Sequence, residues 1–153
     1  MVVCVQTEDF DLSSETAALE GLDTSGACET GAVVTFTGIV RGNKQDGVAA
    51  MTLEHYPGMT EAALQEIEAE AHSRWPLTGS LIIHRYGRLE PGERIMMVAA
   101  ASAHREAAFE AASFLMDYLK TKAPFWKKEE TPEGAKWVDA READDKAAEK
   151  WEQ

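Results

Sequence analysis

Two cysteines in 153 residues, Cys4 and Cys28, are too few and too far apart for a disulfide framework or a thiolate metal site, and both read as free thiols. Long apolar runs are missing as well. No stretch approaches the roughly 20 residues of a membrane span. The opening Met-Val-Val-Cys-Val-Gln-Thr-Glu-Asp lacks the basic segment and apolar core of a secretion signal, so a cytoplasmic protein is expected. Positive charge is scarce: 15 Lys and Arg against 27 Asp and Glu give a formal net charge of -12. That balance disfavours duplex DNA or an anionic membrane as the main partner, because both need a broad basic face. There is no Gly-rich phosphate loop, no Gly-x-Ser-x-Gly elbow and no cysteine in a nucleophile's setting. His55, His72 and His84 have no metal-binding spacing and read as structural or surface residues, so no metal and no cofactor is expected. Any catalysis must rest on lysine, histidine, arginine and carboxylates.

Lysine is present chiefly in one place. Lys120, Lys122, Lys127 and Lys128, four of the eight lysines, fall within the nine residues Lys-Thr-Lys-Ala-Pro-Phe-Trp-Lys-Lys. On an acidic protein this local reversal of sign suggests a pocket for one particular anion. Lysines in the last turn of a helix are favoured by the macrodipole whether or not they do chemistry. A solvated helix end, however, rarely carries Pro-Phe-Trp between its charges.

The length and the 44% apolar content suit a single domain over residues 1–153, able to bury roughly 70% of its unfolded surface. Residues 31–40 are β-branched and alternating, and residues 48–55 repeat that character beyond the Gly/Asn/Asp-rich residues 41–47, which predicts a hairpin. Thr60 can cap a helix carrying Leu64, Ile67 and Ala71, stopped at Trp75-Pro76. Residues 81–86 and 94–101 form a second hairpin through Gly87 and Glu90-Pro91-Gly92-Glu93. Ser102 is placed to cap a long helix whose apolar stripe is Ala108, Phe109, Ala112, Leu115, Met116 and Leu119, ending before Pro124. Residues 131–134 read as a loop, 136–141 as a short strand, 144–151 as a polar helical tail and 12–20 as a short helix. This order predicts an α+β domain with mainly antiparallel sheet.

His104 and Arg105 fall in the first turn of the long helix, where free N–H groups and the dipole attract anions. A cation there opposes the dipole by a few tenths of a kcal/mol, which a bound anion would offset. Arg41, at a strand end before Gly42, is a candidate third anion ligand. Lys120 and Lys127 are separated by Pro124, so the chain turns and their ammonium groups can converge. Two ammonium groups in one partly desolvated pocket depress each other's pKa, leaving one as a usable acid or base while the other holds an anion. Glu129 could orient either.

Five segments, read together, closely resemble the large, catalytic subunit family of molybdopterin synthase: Gly-Ala-Val-Val-Thr-Phe-Thr-Gly-Ile-Val-Arg (31–41), Leu-Glu-His-Tyr-Pro-Gly-Met (53–59), Ser-Ala-His-Arg (102–105), Met-Asp-Tyr-Leu-Lys-Thr-Lys-Ala-Pro-Phe-Trp-Lys-Lys-Glu (116–129) and Trp-Val-Asp-Ala-Arg (137–141). The resemblance runs from about residue 31 to 151 and is weakest over the first thirty residues. It implies an α/β-hammerhead fold with an additional antiparallel sheet, and a homodimeric core with a small ubiquitin-like partner at each outer end, a heterotetramer. It also implies a sulfurtransferase reaction. The partner's C-terminal Gly-Gly thiocarboxylate delivers two sulfurs to cyclic pyranopterin monophosphate, giving molybdopterin for molybdenum cofactor biosynthesis. Carried over by motif, Ile39, Val40, Arg41, His104, Arg105, Lys120, Lys127, Lys128 and Glu129 contact substrate, and Lys120 and Lys127 are catalytic. The alternative is a non-catalytic regulatory module that binds a phosphorylated metabolite in the same pocket. A single-stranded RNA binder stacking bases on Phe125 and Trp126 is disfavoured by the acidity.

Overall fold

A computed structural model of the chain describes residues 1–21, 26–42, 47–139 and 142–152. In chain order the elements are β1 (Val2–Gln6), α1 (Leu12–Leu19), β2 (Ala32–Ile39), β3 (Ala50–His55), α2 (Met59–Arg74) and β4 (Leu77–Arg85). They continue as β5 (Gly87–Leu89), β6 (Arg94–Ser102), α3 (Arg105–Lys122), β7 (Phe125–Thr131), β8 (Gly134–Val138) and α4 (Glu142–Glu149). One sheet has the order β1-β4-β6-β2 and the other β5-β3-β7-β8. β1 runs parallel to β4; the other pairings are antiparallel. The α+β class and the additional antiparallel sheet are therefore both present.

The core is built on β4 and β6, which are buried along most of their length because helices or loops cover both faces of their sheet. Ile82 and Val98, opposite each other, face a cluster with Leu64 and Ile67 of α2 and Phe114, Leu115 and Tyr118 of α3. Leu81, Ile83, Met97 and Ala99 face the other way, against Phe10 with Leu12 and Leu19 of α1. The one-residue alternation of a strand thus feeds two separate apolar layers.

Several expectations need correction. The hairpin of residues 31–40 with 48–55 does not form: β2 pairs with β6 along its whole length, and β3 pairs with β5 and β7 in the other sheet. Residues 43–46 of that connection lie outside the described residues, as does Arg141 at the end of the last expected strand. The second hairpin is present as β4 with β6, but β5 leaves it to join the other sheet. Thr60 does not cap α2. The cap position is Gly58, whose N–H donates to the Glu61 carboxylate at 2.7 Å, while the buried Thr60 hydroxyl donates to the Pro124 carbonyl at 3.0 Å. Ser102 ends β6 and donates to the Pro76 carbonyl at 2.9 Å, so His104 occupies the cap of α3. In the α3 stripe Phe109 is 62% exposed, and the buried face carries Ala111, Phe114 and Tyr118 instead.

β1 and β7 have no counterpart in the sequence reading. The C-terminal helix is more than a polar tail: Ala148 is buried, and the Trp151 indole N–H donates to Asp117 of α3 at 2.7 Å. Among the described residues no helix is long and apolar enough to cross a membrane.

Candidate active site

α3 ends where the sequence dictates. Pro124 has no N–H to continue the ladder, and Ala123 before it takes the extended conformation (φ -81°, ψ 131°) that a residue preceding proline prefers. The chain then enters β7 at once, so Lys120 in the last helical turn and Lys127 on the new strand meet around one pocket of about 610 Å³. The expectation that the two lysines converge is met by a helix-to-strand turn.

Strand alternation sorts the rest of the cluster. Lys127 and Glu129 lie opposite Leu53 and Met51 of β3 and line the pocket with them. Lys128, one residue out of step, lies opposite Thr52 and Trp137, and its ammonium stands 5.4 Å from the Trp137 ring centroid. Lys128 is therefore on the other face of the sheet from Lys127, outside the pocket lining. Reading the segment as a helix exit missed this, since it concealed the two-residue period.

Arg41 reaches the pocket because Val40 before it is pinned. The Val40 N–H donates to the Glu93 carbonyl and its carbonyl accepts from the Gly92 N–H, both at 2.8 Å, and its side chain is buried with Met51, Leu53 and Leu89. A Cβ at Gly42 would come within 2.5 Å of the Pro91 side chain, so glycine is required for this approach. Ile39, 56% exposed, lines the pocket beside Arg41.

The pocket thus gathers Ile39, Val40, Arg41, Lys120, Lys127 and Glu129. It does not gather His104 and Arg105. Both are exposed at the start of α3, fifteen residues before Lys120 or roughly 22 Å along the helix axis. One chain cannot apply both groups of cations to one small ligand.

His84, read from the sequence as a structural or surface residue, also lines the pocket, as do Asp139 and Asp144, to which the sequence reading gave no role. Three cations, Arg41, Lys120 and Lys127, thus face three carboxylates, Glu129, Asp139 and Asp144. Lys127 Nζ lies 3.6 Å from Glu129 Oε1, with each side chain about one third exposed. So wet a pair contributes about 0–1 kcal/mol, and an incoming anion can compete for the lysine. His84 is 4% exposed and stacks on Phe125, ring centroids 3.8 Å apart at 18°. Burial, aided by the nearby charges of Lys120 and His55, pushes its pKa down to about 4 against a hydrogen bond to the Arg85 carbonyl. The imidazole is neutral at physiological pH. No sequence spacing marks His84; its only signal is a place at the end of the apolar run of β4.

The profile of the MoaE protein family matches residues 5–122. The chain is 54% identical over 151 residues to the molybdopterin synthase catalytic subunit of Mesorhizobium japonicum, covering 97% of this chain and 92% of that one. It is 63% identical over 124 residues to the molybdopterin synthase catalytic subunit of Escherichia coli, covering 80% and 83%. The solved structure of the molybdopterin biosynthesis MoaE protein from Burkholderia ambifaria superposes with a TM-score of 0.82 at 53% identity, over 99% of this chain and 98% of that one.

Proposed function

This chain belongs to the MoaE protein family, which here includes the molybdopterin synthase catalytic subunits, and on that premise we propose that it transfers sulfur to a phosphorylated pterin. Two sulfurs pass from the thiocarboxylated Gly-Gly terminus of a small ubiquitin-like partner to cyclic pyranopterin monophosphate, which becomes the dithiolene of molybdopterin. The chain acts as one catalytic domain over residues 1–153, in the cytoplasm. The observation that carries this reading is the convergence of Lys120, Lys127 and Arg41 on one pocket in a protein of net charge -12.

The residues divide the work by their chemistry. The Lys120 and Lys127 ammonium groups polarise the thiocarboxylate carbonyl and move protons as the cyclic phosphate opens, where a partly desolvated site strengthens each charge interaction. Arg41 offers the planar, bidentate fork suited to phosphate. Glu129 holds Lys127 in place until substrate arrives. Phe125 and Trp126 line the same pocket and offer an apolar wall along which a tail of glycines, which adds no side chains, would insert. Because His104 and Arg105 lie at the far end of α3 from the pocket, in this reading they reach the substrate from a second copy of the chain, in a homodimeric core with a small partner at each outer end.

The test is incubation with thiocarboxylated partner and cyclic pyranopterin monophosphate, followed by detection of the dithiolene. Formation of product is expected. A chain that binds the pterin tightly and never yields a dithiolene is a binding module, and the proposal then fails.

A further inference from the structure

His84 belongs to β4 and lies at the inner edge of the pocket, next to Phe125 and Lys120. Its Nδ1 is 2.8 Å from the Arg85 carbonyl oxygen. A carbonyl only accepts, so Nδ1 carries the proton, and in the neutral ring Nε2 is left with a lone pair. The ring cannot swing away, because its face is stacked on Phe125 at 3.8 Å. Among the described residues no buried side-chain nitrogen or oxygen lacks a hydrogen-bond partner. Nε2 has no protein partner among those same residues, and it is therefore an atom that reaches the pocket space.

This gives the pocket a group different in kind from its neighbours. Arg41, Lys120 and Lys127 are donors only, matched to the anionic parts of a ligand. A fused nitrogen heterocycle also carries neutral N–H and O–H donors, which such cations repel. A fixed, uncharged acceptor beside a flat aromatic face answers that second requirement. We propose that His84 is a substrate-contacting residue whose Nε2 accepts a hydrogen bond from a neutral N–H or O–H donor of the bound heterocycle, setting its orientation against the lysines. The inference rests on the pterin reading of the same site. Burial and the charge of Lys120 keep the ring in its acceptor form at neutral pH.

Three variants separate contact from packing. His84→Phe keeps the stack and removes both nitrogens. His84→Asn keeps an amide donor near the Arg85 carbonyl and removes the distal acceptor. His84→Gln can return an acceptor near the position of Nε2. Binding of cyclic pyranopterin monophosphate is measured by calorimetry for each, alongside ¹⁵N spectra of the histidine-labelled parent. The expected result is affinity weakened about ten-fold in His84→Phe and His84→Asn and largely restored in His84→Gln, consistent with one lost hydrogen bond. In the parent, the bare Nε2 resonance of His84 should move when the pterin is added and stay in place when inorganic phosphate is added. If His84→Phe does not fold, the Asn and Gln pair carries the same comparison. Equal affinity in all folded variants, or equal loss in all three, overturns the proposal, as does an Nε2 resonance indifferent to the pterin. Failure of the parent protein to bind the pterin at all overturns the functional reading itself, and this contact with it.

Discussion

Cys4 is half-buried beside the cluster of Phe10, Leu81 and Ile83, and burial, then Glu15 and Glu68, raises its thiol above the usual range. Cys28 is exposed, its Sγ 3.1 Å from the Glu20 carbonyl. Neither lines the pocket, and sulfur chemistry needs a thiolate. The double variant Cys4→Ser with Cys28→Ser is therefore expected to retain turnover when thiocarboxylated partner is supplied; loss of product in a folded variant would place a thiol relay in this chain. His84 makes a prediction of stability. Its pKa is about 4 when folded and near 6.5 when unfolded, so between those values the unfolded chain binds the extra proton. Stability is then fully present above pH 6.5 and falls as pH drops toward 4, by up to about 3 kcal/mol from this residue. His72, lowered mainly by burial, acts with the same sign. Urea unfolding of His84→Phe is expected to show a flatter profile than the parent over that window, and equal slopes would contradict the assignment. At this scale the sequence made the lysine cluster legible, because charge reversal is a compositional signal. It did not separate Lys127 from Lys128, since only the strand period decides which side of a sheet a residue faces.

α4 is held to α2 and α3 by the buried Ala148, by Lys150 paired with Asp117 at 2.9 Å, and by Trp151 just beyond it. Its ring makes edge contacts with Trp75 and Phe114, centroids 5.6 and 5.7 Å away, its indole N–H donates to Asp117, and its carbonyl accepts from Arg74 at 2.7 Å. Trp151→Ala is expected to destabilise the protein by about 2–3 kcal/mol, below the cost of truncating a fully buried tryptophan because the ring is half-buried. A urea midpoint unchanged from the parent would show that the helix is held by other contacts. Because Asp144 on α4 lines the pocket, the same variant tests whether this helix shapes the site. The long helices and the β4–β6 pair were legible since their apolar periodicity is strong. The first hairpin was misread because adjacency in sequence does not choose a sheet: β2 finds eight partners along β6, and β3 fits between β5 and β7. β7 escaped notice because its pocket face is Phe125, Lys127 and Glu129, charged where a packed strand would be apolar.

At the scale of the whole molecule, the cations fall into two groups at opposite ends of α3, and the proposed dimer reunites them. Co-expressing Arg105→Ala and Lys120→Ala chains tests this. In a mixed dimer one site keeps Lys120 from one chain and Arg105 from the other, so random pairing should restore roughly a quarter of parental activity from two variants that are each inactive alone. No recovery in verified mixed dimers would mean that each chain works by itself. The separation was legible in the sequence, because the long helix expected between residues 102–105 and 116–129 is a rigid rod that holds them apart; spacing alone did not show how two copies would reunite the groups. The central claim is that Lys120 and Lys127 carry out sulfur transfer in the shared pocket. Single-turnover formation of dithiolene, with thiocarboxylated partner in excess over cyclic pyranopterin monophosphate, tests it most directly. Lys122, exposed and set 4.0 Å over the Tyr118 ring outside the pocket, provides the control. The double variant Lys120→Ala with Lys127→Ala should fold, bind its partner and form no product, while Lys122→Ala matches the parent; dithiolene formed by the double variant at the parental rate would contradict the account.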